Sequence, residues 1–143
     1  MQALLAGIYS KLTTGTPAIY TTVGGRIYFH EVPDNIAGSA KNTFPYLVYS
    51  VISLEPTYRF ASGSVELEEA IVQFSLYSDK SSSTEANTMY TQLNALLQHS
   101  SLTVSGYNSL LMQRENARLV RDVTRRTWHY AVDYMIIIQE QPA

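Results

Sequence analysis

Cysteine is absent from this chain, charges are scarce, tryptophan occurs once and no apolar run is long. Each shortage removes a class of protein. Without cysteine there is no disulfide framework, no thiolate metal site and no cysteine nucleophile. Charged residues make up only 15% of the 143 residues and hydrophobic ones 45%, the reverse of the balance that keeps a chain disordered. Folded domains commonly carry about 25% charged residues, so a partner is expected to cover part of this surface. The longest apolar run, residues 135–138, is strand-length and far short of the roughly 20 residues that span a bilayer as a helix. No membrane contact is expected. The opening MQALLAGIYSKL has no basic start and no cleavage site, and reads as an amphipathic helix rather than a signal peptide. Ten basic against twelve acidic residues give a net charge of -2, which disfavours a general nucleic-acid binder. Phosphate-cradling glycine motifs, a nucleophile elbow and a paired-histidine zinc motif are all missing. His30, His99 and His129 lack ligand spacing. His129 and Asp133, four apart on a strand, stand about 13 Å from each other, too far to share one ion. No catalytic residue, metal or cofactor is expected, and the chain is not expected to be an enzyme.

What is present is a regular alternation of patterns. Leu4, Leu5, Ile8 and Leu12 form one helical stripe that Gly15 and Pro17 end, with a short helical turn expected over 17–23. Gly24-Gly25 marks a turn before a short strand over 26–29, and residues 31–44 have loop composition. Residues 45–54 form a strand that is apolar on both faces and is expected to be central, with a connector over 56–64. The strand over 65–77 changes phase, since Val65 and Leu67 are apolar at odd positions and Val72, Phe74 and Leu76 at even ones. That slip predicts a bulge near Glu68-Glu69. Ser82 and Glu85 have capping-box spacing, and Ala86, Met89, Tyr90, Leu93, Leu96 and Leu97 follow at helical period. After a polar linker over 100–109, residues 110–121 read as a strand, 122–126 as a turn and 127–138 as a strand of clean alternation. The order is α-β-β-β-α-β-β. It predicts one α+β domain over 1–143, with an antiparallel sheet of about five strands and two helices packed on one face.

Charge is segregated along the chain. Residues 114–126 hold Arg114, Arg118, Arg121, Arg125 and Arg126 against Glu115 and Asp122, a local charge of +3, while the remainder carries -5. Glu66, Glu68 and Glu69 form the only carboxylate cluster, which reads as a solvated strand edge or as an acidic rim facing a partner or channel. The arginines read in three ways: a basic hairpin balanced by nearby carboxylates, a patch that pairs with an acidic patch on another subunit such as Glu66–Glu69, or a DNA-backbone contact. Eleven tyrosines suit both strands and contact surfaces.

The succession VGGRIYFHEVP, FPYLVYSVIS, VELEEAIVQFSLYS, TEANTMYTQLNALL and TWHYAVDYMIII resembles the tail-completion proteins of long-tailed bacteriophages, also called tail terminators or head-to-tail joining proteins. The resemblance covers residues 3–138. It is carried most specifically by Gly24-Gly25-Arg26-Ile27-Tyr28, by Phe44-Pro45-Tyr46 and by Arg121-Asp122 ahead of Trp128-His129. Thr124-Arg125-Arg126 has no glycine where such proteins often turn more tightly. The resemblance implies a structural virion protein assembled in the host cytoplasm. Its copies close into a ring, commonly a hexamer, which caps the head-proximal end of the tail tube and joins the head connector. DNA passes through the lumen without specific binding, and Glu66 and Glu68 are candidates to line that conduit and repel phosphate. The expected interface residues are the five arginines together with Glu66, Glu68 and Glu69. The element order favours the terminator, but other neck components share similar folds and a small ligand-binding or hydrolytic α+β domain is a different class of reading, so both remain alternatives.

Overall fold

The computed structural model describes residues 2–31, 44–57 and 67–141. The expected loop over 31–44 and connector over 56–64 fall almost wholly outside these, as does Glu66. The elements are α1 (Gln2–Thr13), α2 (Ala18–Thr22), β1 (Ile27–Phe29), β2 (Tyr46–Thr57), β3 (Leu67–Ser78), α3 (Thr84–Leu97), β4 (Tyr107–Asp122) and β5 (Thr127–Glu140). The helices form where apolar residues recur at three and four, and the strands where they alternate. The five strands make one sheet in the order β1-β2-β3-β5-β4.

The sheet is mixed rather than wholly antiparallel. β1 runs parallel to β2, Ile27 opposite Leu47, while every other neighbour is antiparallel. A two-residue turn enforces antiparallel pairing, but the long connection from β1 to β2 leaves the chain free to cross back and run alongside. Among the described residues β1 covers β2 only as far as Tyr49, and beyond it β2 has β3 as its one neighbour. The last two strands form the expected hairpin. β5 inserts between β3 and β4, so α3 links two strands that are not neighbours.

One face of the sheet carries the core. Ala70, Val72, Phe74 and Leu76 of β3 and Val132, Tyr134, Ile136 and Ile138 of β5 join Leu4, Ile8 and Leu12 of α1 and Met89, Leu93 and Leu97 of α3 in a single buried cluster. Each valine, leucine, isoleucine, phenylalanine or methionine among them contributes about 1.5–3 kcal/mol when fully buried. The Tyr134 hydroxyl donates to Asn94 Oδ1 at 2.7 Å, fixing α3 over β5. Gly7 sits inside α1, where glycine costs about 1 kcal/mol relative to alanine. Its reason is space: a Cβ there would stand 2.7 Å from the Thr103 carbonyl oxygen.

Three local expectations give way. There is no bulge at Glu68-Glu69, because β3 pairs without a break from Leu67 onward. Leu67 belongs with Ile71 to the face opposite the core, and the irregularity lies in the neighbouring strand at Ile52, between Val51 and Ser53. The capping box does not form: Ser83 is the N-cap, and Glu85 Oε1 accepts from the Ser78 hydroxyl at 2.7 Å instead. The β4–β5 turn closes with Arg126 at φ 55, the left-handed region that glycine takes more cheaply, braced by the Arg125 amide donating to Asp122 Oδ1 at 3.1 Å.

Candidate interaction surface

The five arginines do not form one patch. Arg114 lies opposite Tyr134 on the core-side face. Its guanidinium sits 5.8 Å over the Tyr90 ring and donates to the Tyr90 hydroxyl, while Tyr90 stacks on Tyr130 at 4.5 Å. Arg118, four residues on, would share that face in a regular strand. The extra residue at Glu115 turns it over, and Arg118 lies opposite Ala131 on the second face. Arg121 returns to the core side, 5.0 Å over the Trp128 ring, with Nη1 donating to the Lys80 carbonyl at 3.4 Å. Arg125 and Arg126 occupy the turn, and Arg125 lies near Tyr46 and Tyr77. What unites Arg121, Arg125 and Arg126 is the end of the sheet they occupy, and Arg118 stands next to that end.

The carboxylates occupy the opposite end. Glu69 faces Glu55 on one neighbour and Ile137 on the other, and Glu68 faces Pro56 and Ile138. Both lie on a strand flanked on each side, so the reading of a sheet edge does not hold. Glu68 and then Glu140 help push the Tyr107 hydroxyl above the usual phenol range, with burial acting between them. Along β3, Glu69 and Tyr77 are separated by about 27 Å. Within one chain Glu68 and Glu69 therefore cannot meet the turn arginines.

An aromatic row that sequence reading did not foresee crosses the basic end on the second face. Tyr28 meets Tyr46 edge-on at 6.2 Å, Tyr46 stacks on Tyr77 at 4.8 Å, and Tyr77 stacks on His129 at 4.4 Å. The pairings Tyr46 with Tyr77 and Tyr77 with His129 bring together residues far apart in the chain. Only the register reveals the row. The rings cover one another's faces, so it serves as a rigid rim rather than a platform on which bases could stack. Burial raises the Tyr46 and Tyr77 hydroxyls above their ordinary range, which keeps the rim neutral.

His129 closes the row. Burial lowers its imidazole below the ordinary histidine range, and the Arg118 guanidinium pushes the same way. His129 Nε2 and Asp133 Oδ1 are buried with no hydrogen-bond partner among the described residues. A folded-state value below the unfolded one means that the unfolded chain takes up the proton first. Stability is then complete above the ordinary value of about 6.5 and drains away as pH falls below it. His129→Phe keeps a ring against Tyr77 and removes the titration. The variant is expected to lose less stability than the parent between about pH 7 and pH 5. Urea midpoints measured across that range check this, and equal slopes for the two proteins would refute it.

Comparison with known proteins follows the same architecture. No curated protein matches the chain. A chain from a solved structure, "Virion of native gene transfer agent (GTA) particle", superposes with a TM-score of 0.71 at 15% identity, over 96% of this chain and 96% of that one. A second solved structure, of a protein without a descriptive name, reaches a TM-score of 0.59 at 15% identity over 99% and 96% of the two chains. At such identities the likeness is one of fold. The family model described as "Tail completion protein gp17" matches residues 7–139, from within α1 to the last turn of alternation in β5. Because that span takes in every strand and both charged ends, this protein belongs to the tail-completion family, the structural proteins of the bacteriophage tail.

Proposed function

We propose that this chain is a tail terminator whose copies close into a ring, six being the expected number, at the head-proximal end of the tail tube. The ring then joins the head connector and leaves a lumen through which DNA passes. The observation that carries this reading is the separation of unlike charge to the two ends of the sheet. Ring closure joins two different surfaces of each subunit. A basic end with Arg118, Arg121, Arg125 and Arg126 and an acidic end with Glu68 and Glu69 supply such a pair, and Glu66 extends the acidic end in sequence. Complementary charge selects orientation and partner more than it adds affinity. Arg114 belongs to the same set in sequence, but its guanidinium is committed to Tyr90 and acts in holding β4 against α3. Carboxylates of the acidic end that face the lumen repel phosphate and let DNA slide. Tube growth stops because the covered end no longer presents a tube-like surface.

The test is electron microscopy of lysates from phage lacking the gene. Overlong or unjoined tails beside full heads are expected. Normal joined particles would remove the reading, and full tails of correct length with defective heads would move the protein to another place in the neck.

A further inference from the structure

We propose that the outer half of β4 is a self-complementary edge through which two copies of this chain pair antiparallel about Val120 before assembly. β4 ends the sheet, with β5 on one side. Its inner half is covered: the His99 amide donates to the Met112 carbonyl at 2.9 Å, the Arg114 amide donates to Gln98 Oε1 at 2.7 Å, and the Leu102 amide donates to Ser109 Oγ at 3.2 Å. Breaks in register around Leu110 and Glu115 interrupt it further. The outer half, residues 116–122, pairs with β5 without a shift, holds no proline and has no second neighbour among the described residues.

The hydrogen-bonding direction of that half follows from its surroundings. Met112 and Arg114 direct backbone groups away from β5. The extra residue at Glu115 reverses the alternation, so Ala117, Leu119 and Arg121 turn their amides and carbonyls outward. Proteins usually guard such an edge with charge, proline or cover. Residues 116–122 carry charge of both signs, Arg118 and Arg121 with Asp122, and between and beside them Leu119, Val120 and, in the adjoining turn, Val123 are 37%, 48% and 79% exposed.

Charge decides what lies against the edge. Laid antiparallel on a second copy with Val120 against Val120, Leu119 faces Arg121 and Arg118 faces Asp122, each twice by symmetry. Centring the pair on Leu119 sets Arg118 against Val120 and forms no ion pair. Centring it on Arg118 or Arg121 sets arginine against arginine, which is destabilising across strands. The Val120 register alone joins outward-facing backbone groups and opposite charges together. The contact is two-fold, whereas ring contacts join unlike surfaces, so it goes beyond the ring reading and rests on the fold alone. It covers Arg118 and Arg121, so a chain paired in this way withholds its basic end from ring closure.

Because the chain has no cysteine, the register can be read directly. Central residues of an antiparallel pair at a non-hydrogen-bonded site stand about 4.5 Å apart at Cα, within disulfide reach. Two copies of residue 117 would stand about 20 Å apart. Val120→Cys is expected to convert under mild oxidation to a species of twice the 16.0 kDa chain mass, at least roughly tenfold faster than Ala117→Cys. The parent is expected to sediment as a dimer at micromolar concentration, and Val120→Lys as a monomer with unchanged circular dichroism. Cross-linking of Val120→Cys no faster than Ala117→Cys, in protein of native circular dichroism, overturns the proposal, as does a Val120→Lys protein that keeps the parent's mass. Lysate microscopy reports on the ring and this chemistry reports on the edge, so either can fail alone.

Discussion

Phe74→Ala is expected to cost about 3–5 kcal/mol, the range for emptying a fully buried aromatic site. Phe74 has no exposed surface, meets Tyr134 edge-on at 5.6 Å and stacks near Tyr49 at 6.4 Å. It therefore ties β2, β3 and β5 together at the centre of the core-side face. For a domain of this length the loss corresponds to a fall in melting temperature on the order of 10 °C or more. Thermal and urea unfolding measure it. Tyr77→Ala, on the opposite face of the same strand, is expected to cost less, because that ring is only half-buried and keeps partial contact with water. A cost for Tyr77→Ala equal to or above that of Phe74→Ala would show that the core does not lie where the alternation puts it.

The second large effect is on assembly rather than folding. Glu69→Arg is expected to abolish joined particles while leaving the chain at least as stable as the parent. Glu69 lies directly opposite Glu55, and like charges across strands are destabilising, so an arginine there gains a partner within its own sheet. In the proposed ring the same change sets arginine against the turn arginines of the neighbour. Close charge pairs across interfaces couple by about 1.5–7 kcal/mol, and a ring repeats the contact at every joint. A fall in phage titre of roughly a hundredfold or more is expected on complementation. Arg125→Glu, exposed in the turn, is expected to do the same alone and to restore titre when combined with Glu69→Arg. Titre unaffected by both single changes, with melting temperatures held, would separate the charged ends from assembly.

Much of the architecture was legible in the sequence because it is set by neighbours along the chain. The helical stripe of Leu4, Ile8 and Leu12 and the alternation from Trp128 to Ile138 report which side of each element faces the core. The hairpin of β4 and β5 follows from a polar turn between two alternating runs. The charged segments were legible as composition, since residues 114–126 hold five arginines and residues 66–69 three glutamates. The division of the arginines between two faces was not legible. Arg114 and Arg118 are four apart, and nothing in their own identities signals that Glu115 is the extra residue. The phase slip in β3 misled for a related reason. A half-buried second face can hold apolar residues such as Leu67 and Ile71 without any bulge in that strand.

Period, polarity and turn chemistry act over a few residues, and from them the sequence by itself determined the elements, their order, the two charged segments and the family signature. The parallel seating of β1, the insertion of β5 between β3 and β4, the aromatic row ending at His129 and the place of β4 at the end of the described sheet were decided only in three dimensions. Each depends on which strand lies beside which and in what register. One inserted residue at Ile52, Leu110 or Glu115 shifts every side chain beyond it to the other face. Such shifts are settled by packing between strands distant in sequence, where the free energy of filling one shared core outweighs the pattern written in any single strand.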